Sequence, residues 1–213
     1  MGKEREIKLR IADLAAIRRS LRKIGARIRR ARLREHNMLF DTPQRSLAKG
    51  EQLLRIRTER GSQRGKSDRE RSVVTFKNPV AGPRSGRRAE RHKVREEIEV
   101  EISDPRRLAT ILEALGMRRW FAYEKFRTRF CLPASSAWAK GLLLELDETP
   151  IGIFLELEGR ANAIDRAAKA LGFQSRDYVL GNYLTLYREF CRNRGTEPGD
   201  MLFTKNRKTK RAR

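Results

Sequence analysis

Seven stretches of this chain alternate, residue by residue, between charged and apolar side chains, and this period of two most limits what the chain can fold into. Glu4, Glu6, Lys8 and Arg10 interleave with Ile7, Leu9 and Ile11. Arg55 and Arg57 stand opposite Leu54 and Ile56, and Thr75 and Lys77 opposite Val74 and Phe76. Arg95, Glu97, Glu99 and Glu101 oppose Val94, Ile98, Val100 and Ile102. Lys125, Arg127 and Arg129 oppose Phe126 and Phe130; Glu145 and Asp147 oppose Leu142, Leu144 and Leu146; Glu156 and Glu158 oppose Ile153, Leu155 and Leu157. Side chains on a strand point alternately to its two faces, so each stretch predicts a strand with one charged and one apolar side. An antiparallel sheet with its polar face in water accounts for any one of them. The set asks for more, because the apolar faces are long enough to be covered by helices. The charged faces would then line a common concave surface. About eight such strands closing on themselves would enclose carboxylates and cations, which is costly unless they pair or bind something. A divalent metal together with a polyphosphate would satisfy both signs.

The chain also resembles itself at an offset of 91 residues. Ile7, Leu9, Ile11 and Asp13 fall on Ile98, Val100, Ile102 and Asp104, and Gly25 falls on Gly116. In each copy a strand pattern runs into Asp, a good helix N-cap, and an apolar stripe follows: Leu14, Ile17, Leu21 and Ile24, or Leu108, Ile111, Leu112 and Leu115. Pro105 suits a first helical turn, and glycine suits the position just past the last. A third helix over about 161–171 ends at Gly172 in the same way. The expected fold class is therefore α+β: an eight-stranded antiparallel β-barrel, helices packed outside, and a pseudo-two-fold internal repeat. All three helices are expected to bury their stripes against the barrel.

Charge narrows the partners. Fifty Lys and Arg stand against 27 Asp and Glu, a formal net charge of +23, so the partner is an anion: nucleic acid, a membrane surface or a small polyphosphate. Residues 18–34 hold nine Lys/Arg and no acid, and 205–213 hold six more with almost nothing apolar. The expected organisation is a folded domain over 1–195 and a basic, disordered tail over 196–213. Stretches 61–71 and 81–91 read as Gly/Ser/Arg-rich loops. RGSQRGKS (60–67) comes near a phosphate loop but has Arg60 where the leading glycine belongs, with no apolar strand before it or helix after it. No run of about 18 apolar residues is present, and MGKEREIKLR offers no apolar leader. Cys131 and Cys191 read as reduced, packed thiols. A cytoplasmic protein without membrane contact is the expectation.

The charged strands carry an ordered set of motifs: E-x-E-x-K (Glu4, Glu6, Lys8), L-F-D-T-P (Leu39 to Pro43), L-R-I-R (Leu54 to Arg57), T-F-K (Thr75 to Lys77), R-x-E-x-E (Arg95, Glu97, Glu99), K-x-R (Lys125, Arg127), L-D-E (Leu146 to Glu148) and F-L-E-L-E (Phe154 to Glu158). In this order they resemble the CYTH superfamily, the triphosphate tunnel metalloenzymes, over about residues 2–189. F-D-T-P and the helix at Gly181-Asn-Tyr183-Leu are more similar to the class IV adenylyl cyclase branch than to the thiamine triphosphatase branch.

That resemblance implies a tunnel binding a triphosphate with Mg²⁺ or Mn²⁺. Glu4, Glu6, Glu156 and Glu158 would hold the metal, with Glu97 a further acidic position; carboxylate oxygens suit such hard ions. Lys8, Arg55, Arg57, Lys77, Arg95, Lys125 and Arg127 would grip phosphate oxygens. Glu4, Glu6, Lys8, Lys77 and Asp147 would carry the catalysis. Two enzymatic readings follow: a cyclase making cyclic AMP and pyrophosphate from ATP, and a hydrolase of inorganic tripolyphosphate or thiamine triphosphate. A third, non-catalytic reading has the basic helix and tail bind RNA or another polyanion. A homodimer is compatible with all three.

Overall fold

The computed structural model describes residues 2–61, 70–80 and 92–204. In chain order the elements are β1 (Gly2–Ile11), α1 (Leu14–Lys23), β2 (Arg27–Asp41), α2 (Ser46–Lys49), β3 (Leu53–Gly61), β4 (Arg71–Pro79), β5 (Lys93–Ile102), α3 (Pro105–Ala114), β6 (Arg118–Cys131), β7 (Leu143–Thr149), β8 (Gly152–Glu158), α4 (Ala161–Ala170), β9 (Tyr178–Val179) and α5 (Tyr183–Arg192). Strands are hydrogen-bonded in the order β5-β4-β3-β2-β6-β7-β8-β1, and β1 pairs with β5 to close the ring into an eight-stranded antiparallel barrel. On that seam β1 pairs with β5 through Gly2–Glu6 and with the short β9 through Lys8 and Leu9.

The internal repeat is visible in the backbone. β1, α1, β2, β3 and β4 correspond to β5, α3, β6, β7 and β8, with β2 against β6 at one junction and β1 against β5 at the other. Asp13 caps α1 by accepting from the Ala15 and Ala16 N–H groups, as Asp104 does for α3 from Arg106 and Arg107. Both helices end in the same paired bonds, Gly25 N to Arg22 O with Ala26 N to Leu21 O, and Gly116 N to Glu113 O with Met117 N to Leu112 O. Gly25 and Gly116 stand at φ +81° and +85°, where a Cβ would be strained.

The oily side faces outward. Ile7, Leu9, Leu144, Leu146, Leu155 and Leu157 are fully buried beneath Ile17 and Leu21 of α1 and Ala163, Ile164, Ala167 and Ala168 of α4. A second cluster of Phe121, Tyr123, Phe154, Tyr183, Leu186 and Met201 packs α5 against the barrel.

Two expectations need correction. α3 buries no residue: Ile111 is 54% and Leu115 74% exposed, and the β5 face beside it leaves Ile98 at 42% and Val100 at 55%. The folded body also runs past residue 195. Met201 is buried and makes a parallel bridge with Tyr123, Asp200 accepts from the Ala122 N–H, and the Phe203 ring packs at a tilt against Phe126. The chain from 200 to 203 is pinned because it supplies backbone partners and an aromatic ring to β6. The phosphate-loop-like segment, most of the two Arg-rich loops and the tail beyond 204 lie outside the described residues. Cys131 and Cys191 form no disulfide, and no described helix is long and apolar enough to cross a membrane.

Candidate active site

The polar faces of the strands converge on a cavity of about 270 Å³ lined by nine basic and seven acidic side chains. Ring closure decides this: alternation places Glu4, Glu6 and Lys8 of β1 on the same side as Glu156 and Glu158 of β8, and register then sets Lys8 beside Glu156 and Glu6 beside Glu158. Each other strand adds its own pair or triplet: Arg55 and Arg57 from β3, Lys77 from β4, Glu97 and Glu99 from β5, Lys125, Arg127 and Arg129 from β6, Glu145 from β7. The repeat divides the charge. β3 and β4 present cations where their counterparts β7 and β8 present carboxylates.

Within the cavity the charges fall into three groups. In the first, Lys8 Nζ sits 3.2 Å from Glu6 and 3.4 Å from Glu156. Burial alone would depress this ammonium, but Glu156 and Glu6 hold it above the usual lysine range. Burial pushes Glu6 and Glu156 up, yet Lys8, with Lys93 at Glu6 and Arg127 at Glu156, keeps both well below the usual carboxylate range.

The second group is centred on Asp147, which lies behind the wall. Asp147, fully buried, accepts from Arg127 Nε and an Arg127 terminal nitrogen (both 2.6 Å), from Lys125 (2.8 Å) and from the Tyr183 hydroxyl (2.6 Å). Arg127 also meets Glu156 at 2.7 Å and Glu145. Its guanidinium is therefore committed to protein carboxylates, and Asp147 acts on the cavity through the residues it fixes.

The third group is the least satisfied. Lys77 bonds Glu4 and lies 3.4 Å from Glu97. Glu97 is pushed up to about 7 and Glu158 to about 8, in each case by burial first and then by the charge of Glu4. Across from them Arg55 and Arg57 each bury an Nε–H that meets no hydrogen-bond acceptor; Arg57 Nε lies 3.3 Å from Glu59, but without hydrogen-bond geometry. Buried guanidinium donors without an acceptor on one wall, facing mutually repelling carboxylates on another, suit an anion and a cation respectively.

The donor set bears on the metal. Oxygen donors are right for Mg²⁺ or Mn²⁺, and Glu4, Glu97 and Glu158 repel one another as a dication would relieve. Among the described residues, however, no three carboxylates form a ready-made ligand cluster. Glu6 and Glu156 are held by Lys8 instead.

Most residues named from the sequence thus come together: Glu4, Glu6, Lys8, Arg55, Arg57, Lys77, Glu97, Lys125, Arg127, Glu156 and Glu158 all line the one cavity. Two differ. Asp147 is behind the wall, and Arg95 sits at the mouth, where it donates to the Glu51 carbonyl. Sequence reading missed Glu35, fully buried on β2 at 3.5 Å from Lys125 and 3.8 Å from Arg127. It also missed Lys93, bonded to Glu6 at 3.0 Å, and Tyr183. The spacing Leu33, Glu35, Asn37, Leu39 was the available signal for Glu35, obscured because β2 is bulged between Ile28 and Leu33 and its other face is also charged.

A closed barrel with a charged interior and an oily exterior defines the class of triphosphate tunnel folds that the sequence resembled. The CYTH domain family matches residues 2–175, and the chain belongs to it. A protein of Methanocaldococcus jannaschii with a provisional adenylate cyclase name is 29% identical over 171 residues, 79% of this chain and 83% of the relative. Among solved structures, a provisionally named adenylate cyclase of Vibrio parahaemolyticus superposes with TM-score 0.67 at 17% identity, covering 87% of this chain and 98% of its own. A Hippeastrum protein described as having a dominant triphosphatase activity gives TM-score 0.59 at 20% identity, covering 92% and 97%.

Proposed function

We propose that this chain is a metal-dependent enzyme that grips a triphosphate inside the barrel and converts ATP to cyclic AMP and pyrophosphate. The observation that carries the reading is the cavity's charge: nine basic against seven acidic groups, with two buried guanidinium donors lacking acceptors. A polyphosphate supplies those acceptors. A divalent ion held by Glu4, Glu97 and Glu158 would neutralise phosphate charge and offset their mutual repulsion. The choice of cyclase over hydrolase is supported by the names of the relatives and by the F-D-T-P motif.

The chain's own residues would act chiefly by positioning and charge stabilisation, which is most of what phosphoryl chemistry needs. Arg55 and Arg57 reach phosphate oxygens from β3, Lys77 and Lys93 from the mouth, and Lys8 from the floor. Arg127 and Lys125 are fixed by Asp147 and Glu35 and hold the floor's geometry. In cyclisation the ribose 3′-oxygen bonds the α-phosphorus, its proton leaves, and the bond to the bridging oxygen breaks to release pyrophosphate. Cations around the β- and γ-phosphates stabilise that leaving group.

The Hippeastrum protein's described activity supports a second reading, hydrolysis of a triphosphate in the same grip. Purified protein incubated with ATP or inorganic tripolyphosphate and Mg²⁺ or Mn²⁺, with products identified, tests both. Cyclic AMP and pyrophosphate are expected. Orthophosphate from tripolyphosphate would favour the hydrolase, and no turnover of either substrate would overturn the enzymatic reading.

A further inference from the structure

On the outside of the barrel, basic stretches far apart in sequence come together on one face, and the tunnel uses none of them. The first is α1. Its apolar stripe is spent on the core through Ile17 and Leu21, and Arg18, Arg19 and Arg22 line a shallow groove of about 460 Å³ on its outer side. The second is β2. Arg18 lies 3.6 Å from Glu148 of β7, and Arg32 of β2 donates to the same carboxylate at 2.8 Å. The third is the C-terminal segment. The Arg32 guanidinium lies 3.5 Å from the centre of the Phe126 ring, and the Phe203 ring packs on Phe126 with 5.0 Å between centres. Glu124 of β6 accepts from Arg34 at 2.6 Å and from the Phe203 N–H at 3.2 Å. The chain therefore runs into residues 205–213, which hold six Lys/Arg, from beside Arg32 and Arg34.

The acids on this face do not balance its cations. Glu148 is shared by Arg18 and Arg32, and Glu124 is taken by Arg34. Asp13, the carboxylate in the groove, is spent on capping α1. Arg19, Arg22, Lys23, Arg27 and Arg29 are exposed, and their side chains make no hydrogen bond or salt bridge with any other described residue. Like charges gathered in this way repel one another, and an extended polyanion relieves the repulsion.

We infer that this outer face binds the sugar–phosphate backbone of double-stranded nucleic acid, independently of the tunnel. Guanidinium forks suit phosphate oxygens, and four of the five unpartnered cations are arginines. Bases are not what it reads. The rings on the face, Phe126 and Phe203, are packed on each other and against Arg32, so they offer no platform to an unstacked base. Other anionic partners fit less well. The α1 stripe is buried against the barrel, which leaves the helix no apolar side to sink into a bilayer. Ile28 and Leu202 are the large apolar side chains exposed in these segments, too few to form the apolar centre that a protein interface needs.

Fluorescence anisotropy of the full chain with a short DNA duplex, and with the RNA duplex of the same sequence, tests this across a salt series. Both duplexes carry 5′-hydroxyl ends, which offer the tunnel no terminal phosphate. The test variant is Arg19→Gln/Arg22→Gln/Lys23→Gln, which removes three charges and keeps good helix formers. It is expected to bind both duplexes about 10-fold or more weakly at fixed salt, and to make log affinity against log salt shallower by about 3. Arg106→Gln/Arg107→Gln on α3, the counterpart of α1, is expected to change neither quantity. Absence of duplex binding by wild type, no effect of the triple substitution, or an equal effect per charge on α3 would overturn the inference. So would tighter binding to phosphatidylserine vesicles than to either duplex. A preference beyond about 10-fold for RNA or for DNA would mean contacts other than phosphate and would overturn the backbone reading. None of these results bears on the tunnel.

Discussion

The two copies of the repeat share a backbone but differ on both of their faces. Ile7 and Leu9 of β1 are fully buried, whereas their counterparts Ile98 and Val100 on β5 are 42% and 55% exposed. Ile17 and Leu21 of α1 are buried; their counterparts Leu108 and Leu112 of α3 are only half-buried. α4 follows β8 and lies over β8 and β1, while the corresponding stretch of sequence after β4 is rich in Gly and Arg, with Pro83 and Ala89 its only apolar residues from 82 to 92. On the inner face the first copy's β3 and β4 contribute Arg55, Arg57 and Lys77, and the second copy's β7 and β8 contribute Glu145, Asp147, Glu156 and Glu158. The first copy thus combines the better-buried strand and helix with the basic wall, in which Arg55 and Arg57 each keep one buried donor without an acceptor, and the second supplies the acidic wall.

That asymmetry is breakable at graded cost. Arg127→Ala should be the most damaging change, about 3–5 kcal/mol by denaturant titration, because it strands Asp147, Glu156 and Glu145 in a buried wall; Arg57→Ala, whose partners have other cations, should cost clearly less. Next, Leu21→Ala should cost about 2–5 kcal/mol and its counterpart Leu112→Ala about 1 kcal/mol. Equal losses would mean that α3 carries as much of the fold as α1.

The acidic wall predicts a pH effect of intermediate size. Glu97 and Glu158 are raised from 4.5 to about 7 and about 8, so between those limits the folded state binds protons that the unfolded chain has released. Stability of the metal-free protein is therefore fully supported below about pH 4.5 by these two groups and falls as pH rises to about 8. The loss should be on the order of 2 kcal/mol once solvent screening is allowed for. Melting temperature against pH, in chelator, should flatten in Glu158→Gln. Smallest of all, Val100→Thr should change stability by less than about 0.5 kcal/mol, while Leu9→Thr at the matching position should cost several times more.

Much of this was legible because alternation is a local signal. A strand such as Lys8-Leu9 or Glu156-Leu157 displays its two faces without knowledge of any neighbour, and Asp13 and Asp104 declare their helices in the same way. Glu35 was not legible, because β2 is bulged and charged on both faces. Nor was the exposure of Leu115: an apolar stripe of the right period says that a helix can be buried, and only a neighbour decides whether it is. The packing of Met201 and Phe203 against β6 escaped for a similar reason, since their partners Tyr123 and Phe126 are far away in sequence.

By itself the sequence determined the strands, their two faces, the capped helices and the doubling of the pattern, since each follows from side-chain periodicity and near-neighbour hydrogen bonding. Only the tertiary structure decided which charges meet: that Arg127 is consumed by Asp147 while Arg55 and Arg57 each keep a buried donor without an acceptor, that Glu4 raises Glu97 and Glu158, and that Trp120 and Asn182 line one cavity at the mouth. Those relations depend on register and ring closure, which bring together groups up to about a hundred and fifty residues apart, and the energy of a charge depends on what surrounds it.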